Sequence, residues 1–175
     1  REAWLEIGFG GGEHMVAQAA RAPDVTIIGC EPFLNGVASA VRHVSEQGVV
    51  NVLLEDGDAR ELLGRLPDAG LDRVFVLFPD PWPKARHHKR RIIQDDTVAE
   101  LARVLRPGGR LRFATDVAGY ADWALSRILA SPRFEWTAAE ADDWRRAPHD
   151  HITTRYEEKR LGDCEPVFFD FARTP

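Results

Sequence analysis

Short apolar runs and helical stripes alternate along most of the chain. Ala3-Trp4-Leu5-Glu6-Ile7-Gly8 is an apolar run that stops at glycines, the pattern of a buried strand feeding a tight turn. Met15, Val16, Ala19 and Ala20 follow at helical spacing, and Pro23-Asp24 closes that helix. Val25 to Cys30 is a second β-branched run. Leu34, Val37, Ala38, Val41 and Val44 then sketch a helix that Gly48 ends. Val49 to Leu54 is a third strand and Ala59 to Leu66 a third helix. Leu71 to Phe78 is a fourth strand with no polar residue after Arg73, as in a strand covered on both faces. Beyond a proline-rich loop, Ile92 to Leu105 is helical, Arg106-Pro107-Gly108-Gly109 is a turn, and Arg110 to Thr115 alternates as a strand. Tyr120 to Leu129 is a further helix, stopped before Pro132. The less regular tail offers Phe134 to Thr137 and Val167 to Phe171 as a final pair of strands.

This alternation predicts βαβ units, hence an α/β fold with a mostly parallel sheet and helices on both faces. The chain has 175 residues, no internal repeat and no linker long enough to divide it, so one domain is expected over 1–175. No apolar run approaches the ~20 residues that span a bilayer. No charged-then-apolar leader precedes the first strand either, so a soluble, cytoplasmic protein is expected. Cys30 and Cys164 form no CxxC and suit a reducing compartment. No metal is expected, because the adjacent His87 and His88 lack acidic or cysteine partners nearby.

The formal net charge of -5 alone argues against a nucleic-acid binder. Yet Lys84, Arg86, Lys89, Arg90 and Arg91 fall in one short run with His87 and His88 among them, leaving about -10 on the rest of the chain. Five cations at a helix start oppose the helix dipole, so a polyanion partner is the better explanation. Arg145 and Arg146 are candidates to extend that surface.

In open parallel sheets, ligands bind at the carboxyl ends of the strands. After the first strand comes the turn Gly8-Phe9-Gly10-Gly11-Gly12, in which Glu13 takes the place of a dinucleotide motif's third glycine. Acids follow the next two strands. Glu31 is placed to accept from both ribose hydroxyls, and Asp58 from an adenine amine; Asp56 competes for that role, with Asp58 favoured because it opens a helix. Glu6 and Glu13 would repel a pyrophosphate, so the ligand is an adenosine without phosphates that carries a positive or zwitterionic group. S-adenosylmethionine fits; NAD and ATP do not. After the fourth strand, Phe78-Pro79-Asp80-Pro81-Trp82-Pro83-Lys84 has three prolines that stiffen the backbone. Asp80 suits an amine or a guanine edge, and Trp82 a stacked base. Asp116, after the fifth strand, lies at the site rim or caps the Tyr120 helix. Thr154 and Arg155 suit phosphate or base contacts, and Tyr156 stacking.

The ordered set Glu6-Ile7-Gly8-Phe9-Gly10, Phe78 to Lys84, His88-Lys89-Arg90-Arg91, Thr115-Asp116 and Thr154-Arg155-Tyr156-Glu157 strongly resembles the bacterial tRNA (guanine-N7)-methyltransferases, along essentially the entire chain. The resemblance implies a Rossmann-like class I methyltransferase: a mostly parallel seven-stranded sheet with an antiparallel last strand. It implies tRNA as partner, with methyl transfer from S-adenosylmethionine to N7 of the variable-loop guanosine 46, and leaves monomer and homodimer open. By the family motif Glu6, Gly8, Gly10, Glu31, Asp58 and Asp80 line the cofactor side, with Asp80 catalytic. Lys84, Asp116, Thr154, Arg155, Tyr156 and Glu157 contact the substrate, and Arg86, His88, Lys89, Arg90 and Arg91 are RNA-backbone candidates. Family members usually carry a further, often basic, segment before the first strand, and this sequence starts almost on that strand. Two other readings are a class I amino-group methyltransferase, whose [DN]PP[YF] loop Asp80-Pro81-Trp82-Pro83 matches only in part, and a non-catalytic RNA-binding subunit. Against the latter stand the intact Glu31, Asp58 and Asp80.

Overall fold

The computed structural model describes residues 1–175. Seven strands form one sheet: β1 (Ala3–Ile7), β2 (Thr26–Cys30), β3 (Val52–Glu55), β4 (Leu71–Leu77), β5 (Leu105–Thr115), β6 (Phe134–Trp136) and β7 (Val167–Arg173). Their spatial order is β3-β2-β1-β4-β5-β7-β6. The first five pair in parallel, and β7 enters antiparallel between β5 and β6. Helices α1 (Glu13–Arg21), α2 (Leu34–Gln47), α3 (Ala59–Arg65), α4 (Asp95–Val104) and α5 (Ala118–Ala130) lie between the strands in sequence. The strand order reverses between β1 and β4, which opens a crevice at the carboxyl ends of these strands.

Both faces of the sheet are covered. Val74 and Val76 of β4 join Leu5, Ile7, Phe113 and Tyr120 in one core, whereas Phe75 and Leu77 join Trp4, Met15, Ile27 and Phe168 in the other. That is why β4 is apolar without a break from Val74 onward. Each such side chain stabilises the fold by about 1.5–3 kcal/mol.

Some boundaries differ from the periodicity. β3 begins at Val52, leaving Val50 96% exposed, because Asn51 turns inward. The Asn51 amide nitrogen lies 3.1, 3.0 and 2.8 Å from the carbonyls of Ala19, Ala22 and Val25, fastening the exit of α1. α4 begins three residues later than Ile92, where Gln94 and Thr97 cap each other. β5 already starts at Leu105, and a register shift opposite Leu71 and Arg73 absorbs the stretch expected as a turn. The tail adds two short helices that periodicity does not disclose, α6 (Asp142–Arg145) and α7 (Arg155–Glu158).

The tail is fastened by charge. Arg112 on β5 faces Asp170 on β7 at 2.8 Å. Asp150 meets Arg112 at 2.7 Å and Arg73, on β4, at 3.1 Å. Burial pushes the Asp150 carboxyl up, but its hydrogen bond to Arg112 and the two guanidinium charges outweigh that and hold it at about 2. A depressed carboxyl contributes stability that is present at neutral pH and lost as pH falls from the unfolded value through about 2. Asp150→Ala strands a guanidinium in the interior, so a loss of about 3 kcal/mol is expected. Thermal unfolding should show a melting temperature lower by about 6–12 °C. An unchanged melting temperature would refute this anchoring.

Candidate functional site

The turn after β1 is built on left-handed glycines, with φ of 68° at Gly8, 58° at Gly10 and 86° at Gly12. An L side chain is strained there whatever the space. A Cβ at Gly8 or Gly10 would meet nothing within 4 Å, so the turn presents bare backbone to an open crevice. The Gly8 amide donates to the Cys30 carbonyl at 2.7 Å, tying the turn to the end of β2.

One residue beyond β2, Glu31 is buried and braces the turn: its carboxylate accepts from the Gly10 amide at 2.9 Å and the Phe33 amide at 3.2 Å. A carboxylate has about four acceptor positions, so two remain for a ligand. Loss of water on burial raises the Glu31 carboxyl above its usual range; the two amides oppose the rise, and the charge of Asp80 adds to it. Glu6 is placed differently. It is buried beneath the turn, 2.8 Å from His14 Nδ1, with Gln18 behind His14 at 3.2 Å. Asp58 is exposed and caps α3 by accepting from the Arg60 amide at 2.8 Å. Asp56 is exposed as well.

The loop after β4 is bracketed by two non-glycine residues in left-handed conformation, Phe78 at φ 49° and Trp82 at φ 42°. Such backbone persists only where its surroundings over-determine it. Phe78 is held by the rings of Tyr156 and Phe168, at 5.8 and 6.1 Å. Between the brackets Asp80 is exposed. Its charge reaches two groups, Glu31 and the Tyr156 phenol, which is raised first by burial, then by Asp116 and Asp80. Glu31, Asp80, Asp116 and Tyr156 therefore lie near one another, beyond the carboxyl ends of the parallel strands.

The Tyr156 hydroxyl donates to Asp116 at 3.5 Å, and the other Asp116 oxygen accepts from the Gly162 amide at 3.1 Å. The helix-cap alternative for Asp116 is not realised: Thr115 takes the Val117 amide and Asp163 the Ala118 amide. Thr154 and Glu157 form a reciprocal cap on α7, and Glu157 also holds His151 at 2.8 Å. These two residues fix the segment, with Tyr156 turned to Asp116 and Arg155 exposed. His151 packs 4.8 Å from Phe168 and was not singled out by the sequence, since an isolated histidine carries no motif.

The basic run forms a 3-10 turn over Ala85–Arg90. Lys84, Arg86, Lys89 and Arg90 are exposed, and none pairs with a carboxylate. The Arg90 guanidinium lies 4.9 Å over the Trp82 ring. His88 is half-buried and turned to the Pro83 carbonyl at 3.3 Å. Arg91 departs from the sequence expectation of a solvated cation: it is only 3% exposed, with its guanidinium packed over Tyr120 and Trp123. Of the other two basic residues considered, Arg146 pairs with Asp142 at 3.1 Å, while Arg145 lies over Trp144.

The profile of the family described as "Putative methyltransferase" matches residues 1–169. The tRNA (guanine-N(7)-)-methyltransferase of Caulobacter sp. (strain K31) is 64% identical over 174 residues, covering 99% of this chain and 76% of that protein. The protein of the same name from Hyphomonas neptunium is 62% identical, covering 96% of this chain and 77% of its own length. Among solved structures, an rRNA methylase from Streptococcus thermophilus superposes with a TM-score of 0.66 at 12% identity, over 100% of this chain and 88% of that one. A mutant 16S rRNA (adenine(1408)-N(1))-methyltransferase with cosubstrate SAM, from Catenulisporales acidiphilia, gives a TM-score of 0.67 at 17% identity, over 100% and 87% of the two chains.

Proposed function

The chain belongs to the tRNA (guanine-N7)-methyltransferase family, and we propose that its 175 residues act as one domain transferring a methyl group from S-adenosylmethionine to N7 of the variable-loop guanosine 46 of tRNA. The observation that carries this reading is a single juxtaposition. A bare glycine turn is braced by Glu31, which feels the charge of Asp80, and the unpaired cations begin four residues after Asp80, at Lys84.

The residues fit an adenosine cofactor without phosphates. Glu31 keeps acceptor positions for ribose hydroxyls, Asp58 or Asp56 offers one to the adenine amine, and Gly8 and Gly10 leave room for close approach. When bound, the cofactor supplies a methyl group on a sulfonium sulfur. Guanine N7 has a lone pair and no proton, so no general base is required of the protein. What the chain supplies is orientation. Asp80 accepts from guanine N–H groups and offsets the positive charge that develops on the purine. Tyr156 stacks, with its hydroxyl fixed by Asp116. Lys84, Arg86, Lys89 and Arg90 neutralise backbone phosphates. No helix is long and apolar enough to cross a membrane.

The test is methyl-labelled S-adenosylmethionine with unmodified tRNA transcripts, followed by nuclease digestion and nucleoside chromatography. Label should appear in 7-methylguanosine and vanish when the variable-loop guanosine is replaced. Label in another nucleoside overturns the substrate, and failure to bind the cofactor overturns the reading at its base.

A further inference from the structure

We propose that Arg91 is a positioning residue that holds the Asp80 loop from behind. The inference rests on the methyltransferase reading, in which that loop carries the group facing the purine.

Pro79, Pro81 and Pro83 have no N–H to donate, so the loop cannot be braced by its own backbone at those positions. The brace comes from Arg91, whose Nε donates to the Pro81 carbonyl at 2.8 Å, one residue beyond Asp80. The guanidinium rests on two aromatic faces, 4.8 Å from the centre of Tyr120 and 5.1 Å from that of Trp123. Tyr120 is fully buried, and Trp123 is itself fixed by its Nε1 donating to the Ile93 carbonyl at 2.7 Å. The Arg91 backbone is anchored as well: its carbonyl accepts from Arg60 at 2.9 Å and Gln94 at 3.0 Å, and its amide donates to the His88 carbonyl at 3.1 Å.

No carboxylate pairs with this buried cation. An interior charge without a counter-ion is unfavourable, and two ring faces offset only part of that. An aliphatic side chain would pack there at lower cost but would leave the Pro81 carbonyl unpaired. The hydrogen bond falls next to Trp82, whose left-handed backbone relaxes if it is released. Lysine keeps the charge and lacks the planar stacking and the Nε–H geometry.

The experiment compares Arg91→Gln and Arg91→Lys with the parent chain. Three readouts are taken: hydrogen exchange of the free protein, single-turnover methyl transfer to tRNA, and tRNA affinity against salt. Faster exchange is expected in both variants at the two bonded amides that flank the loop, Phe78, which donates to the Ala114 carbonyl, and His87, which donates to the Lys84 carbonyl, with the strands still protected. Turnover should fall by about 10–100-fold, with tRNA affinity and its salt slope unchanged. Unchanged loop exchange overturns the proposal. So does weaker tRNA binding with a salt slope smaller by about one, the mark of a lost phosphate contact. If Arg91→Gln exchanges throughout because it does not fold, Arg91→Lys decides on the same readouts. Exchange is read without substrate. A parent chain that methylates no tRNA therefore overturns the proposed function alone, and unchanged exchange overturns the role of Arg91 alone.

Discussion

Asp80→Asn is expected to lower single-turnover methyl transfer by about 10²–10³-fold, with cofactor and tRNA affinities close to those of the parent. The substitution keeps the size of the side chain and removes its charge. N7 methylation leaves a full positive charge on the purine with no proton to release, so a carboxylate held beside the ring favours the transition state more than the ground state. The stiffness of the Pro79-Asp80-Pro81 backbone means that little reorganisation accompanies this effect. Calorimetry for binding and rapid quench for transfer separate the two quantities. If weakened tRNA binding accounts for the entire loss, Asp80 acts in docking and the charge argument fails.

Glu31→Ala should do the reverse. Two charge-assisted hydrogen bonds to the ribose disappear, so the Kd for S-adenosylmethionine is expected to rise about 100-fold, roughly 3 kcal/mol. Turnover at saturating cofactor should change much less. A pH dependence follows from the same residue. Burial raises the Glu31 carboxyl above its usual range. In the free protein the native state then holds this proton more tightly than the unfolded chain does. Its contribution to stability is full below the unfolded value and is lost as pH rises through the raised one. Cofactor binding asks for the opposite form, because the protonated carboxyl loses acceptor capacity. Affinity should therefore weaken on acidification through that raised value in the parent, and much less in Glu31→Gln. A parent curve that parallels the variant would remove Glu31 from the ribose.

The repeat of strand, turn and helix is legible in the sequence because its signals are local: apolar runs four to seven residues long, ended by glycine or proline. Glu31 and Asp80 are legible for the same reason, since each lies just beyond a strand in a parallel sheet. The tail is not, because it is held by distant partners such as Arg73, which lies 77 residues from Asp150. Arg91 shows the limit most clearly. Five cations in one run look alike, and what separates the fifth from the others is a pair of aromatic rings, Tyr120 and Trp123, contributed by α5. The two short helices escape a periodicity argument because four residues are one turn.

The strand that completes the sheet is the last to be synthesised. β7 follows every other strand in the chain, yet it lies between β5 and β6. On the ribosome the glycine turn, Glu31 and Asp80 emerge early, while β5 waits with an open edge until Val167 to Arg173 have left the exit tunnel. An unpaired edge is a template for joining another chain. A ribosome that pauses before β7 therefore holds a sheet whose β5 edge is open to any passing strand.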